Sequence, residues 1–593
     1  MTGSRPGMGA IPYPGGVTFR VWAPFARAVR VAGEFTGWEA GAVALEHDGG
    51  GYWSGDVLGA AVGQPYRFVL TGFSGETLWR TDPYAREMRN SNGDCVVYQP
   101  AFDWGEGFTM RGWDDLVVYE LHVGTFDRGP GRGLQEVSAK LPYLAGLGVT
   151  AVLVLPPAEF PGESSWGYNS SSIFTVETDF GGPDAFRAFV RAAHDHDIAV
   201  LVDVVYNHFG VNDSAVYLFD GWHDDDHPNG IYIYDRARYT TPWGETRPDY
   251  GRPEVRQYLR DNARMWLHDY RADGLRFDMT PYITGVDSGW PPLADGVGLL
   301  RWILSETGGE QPWKLMMAED LHRNPWVTRP IDQGGLGFDT QWDDQFVDTL
   351  RAVLAQPRDE DRSIPAVAAA LRGPGEGGWI ARTVYVESHD EVAQRNGGSR
   401  LPTLADPSDP RSWYARKRAI LGAALTLTTP GIPMLFQGQE WLEIRSWHDD
   451  TPLDWTDEAA RAGHVTLFRD LIALRRNSRY TTAGLRGPHL NVHHLNDTDK
   501  AIAYHRWANG GPRDDVVVLA NLANHTWPTY PIGLPRAGQW HVRLNTDWAG
   551  YDPDFGALPV LDTSANGTPR DNMPCSANIA LPPYSTLVLS QDQ

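Results

Sequence analysis

Gly274-Leu275-Arg276-Phe277-Asp278 is an apolar run that ends in a charged pair, and three other segments end in the same way. They are Asp203-Val204-Val205-Tyr206-Asn207-His208 upstream, and Met317-Ala318-Glu319-Asp320 and Val386-Glu387-Ser388-His389-Asp390 downstream. Buried strands that deliver polar side chains to the rim of a barrel have this pattern. One strand, loop and helix of an α/β barrel take roughly 30 to 45 residues. Asp278 and Glu319 lie about one such unit apart and Glu319 and Asp390 about two, which predicts that they end the fourth, fifth and seventh strands. The interval from Asp203 to Asp278 is too long for one unit. It requires an excursion, and residues 208–250, rich in Asp, Gly, Pro, Tyr and Trp without a helical period, supply it.

Outward from these segments, apolar runs recur at 116–121, 151–155, 199–203, 274–277, 315–318, 338–342, 382–386 and 433–436, enough for a closed (β/α)8 barrel. Helical patterns lie between them, as in Pro253-Glu254-Val255-Arg256-Gln257-Tyr258-Leu259, with Pro in the first turn. Residues 15–105 read as short alternating strands with Gly and Asp turns, and the pattern after Arg476 is similar. The expected organisation is an N-terminal β-sandwich over 1–110, a catalytic TIM barrel over 111–476 with an excursion at about 207–252, and a C-terminal β-sandwich over 477–593.

Of the 593 residues, 42% are hydrophobic and 21% charged, which is the balance of a soluble globular chain. The first thirty residues show neither a secretory signal nor a membrane span. Cys95 and Cys575 are the only cysteines and lie far apart, which fits a reducing cytoplasm. A net charge of −24 repels phosphate backbones and anionic membranes, so neither nucleic acid nor membrane is expected as a partner. The 24 Trp and 24 Tyr suit either core packing or stacking on the rings of a neutral sugar.

The charged endings have distinct chemical roles. Arg276 and Asp278 are two apart on one strand and face the same side. The guanidinium favours an ionised Asp278, which suits a nucleophile, although Arg-x-Asp alone also fits a buried ion pair. Glu319 follows an apolar strand, where desolvation raises a carboxyl pKa and lets it act as general acid and then base. Asp390 and His389 add a third carboxylate and a ring that can bond sugar hydroxyls. So many charges at one barrel rim are unstable unless a ligand uses them. A carboxylate nucleophile beside a carboxylic acid/base describes retaining glycoside chemistry.

From about Leu116 to Arg476 the four segments resemble the conserved regions of glycoside hydrolase family 13, the α-amylase family. The resemblance makes Asp278 the nucleophile, Glu319 the acid/base and Asp390 the carboxylate that orients the distorted sugar. Arg276, His208 and His389 resemble residues around the sugar at the cleavage point, Tyr168 the aromatic platform below it, and Asp203 a supporting carboxylate. Arg247-Pro248-Asp249-Tyr250 resembles a fifth region, and the N-terminal stretch is similar to family 48 carbohydrate-binding modules.

Glu387-Ser388-His389-Asp390 resembles the fourth region of 1,4-α-glucan branching enzymes. Phe160-Pro161-Gly162, Trp166-Gly167-Tyr168 and Thr241-Pro242-Trp243-Gly244 resemble trehalose-releasing hydrolases, while Met279-Thr280 is the usual pattern of neither. The expectation is an α-1,4-glucan branching transglycosylase. Hydrolysis of α-glucans, including the trehalose-releasing kind, is the alternative, and a non-catalytic glucan-binding protein is the alternative from another class. Neither cofactor nor metal is expected. Asn207 stands where some family members bind calcium, and His223-Asp224-Asp225-Asp226-His227 lacks the spacing of a calcium loop and reads as a solvated acidic turn.

Overall fold

The computed structural model describes residues 3–39, 43–127, 133–322, 324–373 and 378–592. Eight parallel strands close into a barrel: β1 Val118–Leu121, β2 Ala151–Val154, β3 Ala199–Val204, β4 Gly274–Phe277, β5 Leu315–Ala318, β6 Thr340–Trp342, β7 Arg382–Val384 and β8 Ile432–Phe436. Each pairs with its successor and β8 closes on β1. The eight predicted runs all become barrel strands, so Asp278 and Glu319 follow the fourth and fifth strands as their spacing required.

Some boundaries differ from the sequence pattern. β7 stops at Val384, and His389 and Asp390 stand in a short helix, His389–Val392, capped by the Ser388 side chain. β6 begins only at Thr340, because the Asp339 carboxylate turns back to accept the Met316 main-chain N–H at 2.7 Å.

Alternation along the strands divides the apolar residues into two sets. Val118, Leu153, Leu201, Met317 and Met434 cluster inside the barrel, whereas Tyr119, Val152, Val202, Leu275 and Phe277 pack with the surrounding helices. The same alternation directs Glu120 and Arg276 inward. The helix Pro253–Arg264 has Pro in its first turn and buries Val255, Tyr258, Leu259 and Ala263, the 3.6-residue spacing of a core-facing stripe.

Two antiparallel sheets, spanning Gly9–Leu58 and Ala28–Val96, form the N-terminal sandwich. Arg80 ties it to the excursion after β3 through the Leu218 and Phe219 carbonyls, at 2.9 and 2.8 Å. At the other end a six-stranded sheet packs with a two-stranded one in the C-terminal all-β region. Lys417 and Asp547, both fully buried, bridge that region to the helix Trp413–Thr428 at 2.7 Å.

A buried pair broken on one side leaves an uncompensated charge. Lys417→Met is expected to cost about 3–5 kcal/mol in urea unfolding. Adding Asp547→Leu is expected to restore most of it, and a double variant no more stable than the single one would contradict an electrostatic origin.

Candidate active site

The site is assembled around Arg276, which is fully buried. The β3–β4 register sets Asp203 opposite Arg276 and the β4–β5 register sets Met317 opposite it, so the guanidinium reaches carboxylates from both neighbouring strands. Its Nη1 donates to both Asp203 oxygens at 2.8 and 2.7 Å and to Asp278 Oδ1 at 2.9 Å. Its Nη2 donates to Glu319 Oε2 at 2.5 Å. The Trp342 ring lies 4.5 Å from the guanidinium carbon and the Tyr168 ring 5.7 Å. Burial opposes the charge on Arg276, but Asp203, Glu319 and Asp278 outweigh it and hold its pKa well above the ordinary value.

Asp278 and Glu319 each lie one residue beyond a strand and continue its ladder: Asp278 N–H donates to the Val204 carbonyl and Glu319 N–H to the Phe277 carbonyl, both at 3.0 Å. Asn207 Nδ2 donates to Asp278 Oδ2 at 2.6 Å. Thus each Asp278 oxygen has a fixed donor. Met279 follows with φ of +37°, and this left-handed turn aims its main-chain N–H at Glu319 Oε2, 2.9 Å away. Both fixed donors to Glu319 therefore converge on Oε2, which leaves Oε1 to carry a proton. Burial pushes the Glu319 carboxyl up to about 8, against Arg276 and with help from Asp278 and Asp390. Burial likewise lifts Asp203 to about 7, against the pull of Arg276.

A cavity of about 790 Å³ opens over these groups, and Asp278, Glu319, Asp390, Tyr168, His208 and His389 all reach its wall. The Tyr168 hydroxyl donates to Asp203 Oδ2 at 2.6 Å. His208 lies 2.8 Å from the Tyr168 carbonyl through Nε2, and its ring stacks on Trp243 at 5.1 Å. Burial lowers the His208 pKa. Asp390 is the most open of the three carboxylates, with its side chain 40% exposed and Oδ2 3.2 Å from His389 Nε2. All eight residues singled out from the sequence thus meet in one place.

Four contributors were given no role at this site from the sequence. Glu120 lies beneath His389, Trp342 faces Arg276, Asn207 holds Asp278, and the Met279 N–H holds Glu319. A glutamate inside the apolar run Val118-Tyr119-Glu120-Leu121 was a visible signal. Asn207 lies within the first polar ending and Met279 directly follows Asp278, but the contacts of these two and of Trp342 depend on backbone direction and on strands remote in sequence.

The excursion after β3 is clamped by Arg247. This fully buried side chain donates to the carbonyls of Arg238, Thr240, Gly285 and Val286 at 2.7, 2.6, 3.0 and 2.5 Å. It thereby joins the loop that bears Trp243 to the one that follows Asp278. The acidic turn at 223–227 closes on itself, with Asp224 Oδ1 accepting the Asp226 and His227 main-chain N–H groups. Among the described residues no group of three or more His, Cys, Asp and Glu side chains is arranged to hold a metal ion.

Comparison with known proteins fits this geometry. Residues 7–85 match carbohydrate-binding module 48 (isoamylase N-terminal domain), 84–217 the alpha amylase catalytic domain, and 492–592 the alpha amylase C-terminal all-beta domain. The chain is 30% identical to the 1,4-alpha-glucan branching enzyme GlgB of Marinobacter nauticus, over 97% of this chain and 94% of that one. The chain belongs to the α-amylase family. It is also 32% identical to GlgB of Frankia casuarinae, over 97% of this chain and 72% of the relative. Among solved structures, a putative alpha amylase from Salmonella typhimurium superposes with a TM-score of 0.75 at 24% identity, covering 98% of this chain and 99% of that one. A pullulanase from Anoxybacillus sp. LM18-11, complexed with maltotetraose, has the same TM-score at 20% identity, covering 98% and 87%. These two show the shared fold.

Arg276→Lys keeps the positive charge but cannot span Asp203, Asp278 and Glu319 with one ammonium. Turnover on soluble starch is expected to fall about 10²–10³-fold, as when a fixed donor at a reacting centre is lost. Turnover within a few-fold of the parent would show that charge alone suffices.

Proposed function

We propose that this protein cleaves α-1,4-glucosidic bonds with retention and transfers the released glucan chain to a 6-hydroxyl, as a 1,4-α-glucan branching enzyme. The observation that carries the reading is the pairing of Asp278 and Glu319 on opposite nitrogens of one buried guanidinium. One guanidinium spans only a short gap, which favours the closer carboxylate spacing of retaining enzymes over the wider, water-filled one.

In this reading Asp278 attacks the anomeric carbon while Glu319 passes its proton to the departing glycosidic oxygen. A glycosyl ester on Asp278 results, and the shortened glucan leaves with a free 4-hydroxyl. Glu319, now a carboxylate, takes the proton of an incoming 6-hydroxyl as that oxygen attacks the same carbon and frees Asp278. The α configuration is inverted twice and so retained. Asp390, His389 and His208 bind sugar hydroxyls, Tyr168 underlies the ring, and Arg276 and Asp203 keep the carboxylates in place. The choice of acceptor follows the GlgB relatives, which match nearly the whole chain. A cytoplasmic location belongs to the same reading, supported by two cysteines that are both buried and free.

Amylose incubated with the protein is expected to gain α-1,6 linkages by proton NMR without a matching rise in reducing ends. A steady rise in reducing ends points instead to hydrolysis, and free trehalose from maltooligosyltrehalose to the trehalose-releasing reaction. Asp278→Asn is expected to abolish turnover, whereas a purely glucan-binding protein would be unaffected in every assay. Because the acid form of Glu319 is lost as pH rises through about 8, kcat/KM is expected to fall about tenfold per unit above that pH. A profile flat to pH 10 would remove Glu319 from the role of acid.

A further inference from the structure

Glu120 is a carboxylate with no exposed surface, inside the barrel on β1, and the reaction described above does not use it. Both of its oxygens are engaged by one residue. Oε2 accepts the His389 main-chain N–H at 3.0 Å, and Oε1 lies 2.7 Å from the His389 ring at Nδ1. Among the described residues no Arg or Lys pairs with Glu120. At the other side of the ring, Nε2 lies 3.2 Å from Asp390 Oδ2. Each ring nitrogen therefore faces a carboxylate oxygen. A neutral imidazole has one N–H and can satisfy one of them, whereas an imidazolium satisfies both.

The rest of the enclosure favours the same state. Tyr168 stacks on the ring at 5.3 Å and 20°, and Trp166, Trp342 and Trp447 surround it at 5.9, 6.2 and 6.2 Å. An aromatic ring stacked on the imidazole stabilises its cationic form.

We infer that Glu120 is a positioning residue that holds His389 as an imidazolium, so that its Nε2–H is a permanent donor beside Asp390 at the cavity wall. The inference rests on the glucan-cleaving reading of the site for its consequence, since the donor is offered to the sugar and to the carboxylate that orients it. The carboxylates around the ring outweigh the groups that oppose the cation. Burial acts against the cation, Asp390 and Glu120 overcome it, Arg276 on β4 opposes weakly, and the pKa is held up to about 9. Glu391 on the same short helix adds another carboxylate, and His122 beyond β1 is lowered by burial to about 4 and stays neutral.

The test is Glu120→Gln, which keeps shape and removes charge. The His389 ring, followed by NMR of ¹³C-labelled histidine and assigned with His389→Gln, is expected to titrate above pH 8 in the wild type. In Glu120→Gln it is expected to titrate about 1–3 units lower. The kcat/KM of the variant should approach the wild-type value near about pH 5.5, where the ring is protonated without help, and fall away above about pH 7. Loss of the same factor at every pH would reduce Glu120 to a structural part and overturn the inference. A wild-type ring that titrates below about pH 7 would overturn it as well, and this measurement decides even if Glu120→Gln does not fold. Failure of the branching reading is distinguishable. It appears as absence of α-1,6 linkages from wild-type protein at every pH, and it leaves the ring titration unchanged.

Discussion

Three carboxylates at the candidate site meet on one guanidinium. Arg276 stands fully buried among Asp203, Asp278 and Glu319 and is flanked by the rings of Tyr168 and Trp342. Three carboxylates cannot share so small a dry volume without it, and the guanidinium cannot remain there without them. The barrel makes this possible through register. Strands on either side of β4 place Asp203 and Glu319 where the two nitrogens of Arg276 reach, and the alternation that sends Leu275 and Phe277 into the helical shell sends Arg276 inward.

The arrangement also divides the carboxylates by environment. Asp278 has a fixed donor on each oxygen, one charged and one amide. Glu319 has both of its fixed donors on one oxygen, and burial favours a proton on the other. In the proposed reaction, these surroundings make two groups of nearly identical chemistry into a nucleophile and an acid. Such a site opposes stability, because a carboxyl raised by burial binds its proton more tightly folded than unfolded. Between the unfolded value and about 8, Glu319 therefore lowers folding stability as pH rises. The seams at Lys417–Asp547 and Arg80 join the flanking β regions to the barrel that carries this strain.

The barrel was legible because burial on both faces of a parallel sheet writes itself as uninterrupted apolar runs, and because spacing alone assigned Asp278 and Glu319 to consecutive strands. Seven of the eight candidate site residues stood out because polar groups at the end of such a run are costly without a use, whereas Tyr168 came only from the family resemblance. Boundaries were less so: β7 is shorter than its apolar run, since Ser388 caps a helix that the preceding Val386 and Glu387 do not announce. Glu120 was overlooked because a single acidic residue in a strand gains meaning only when His389, 269 positions away, lies above it. Met279 stood out as a departure, but its part is played by a backbone N–H in a left-handed turn, which a side-chain identity does not encode.

The central claim is that Arg276 commits Asp278, rather than a neighbouring carboxylate, to covalent attack. It is tested most directly by trapping. A fluorinated maltosyl fluoride, whose electron-poor ring slows the second step, is incubated with the protein, which is then digested and mapped by mass spectrometry. The account predicts one glycosyl adduct on the peptide containing Asp278, formed with loss of fluoride. An adduct on Glu319 or Asp390, or steady turnover through an inverted product with no adduct, would contradict it.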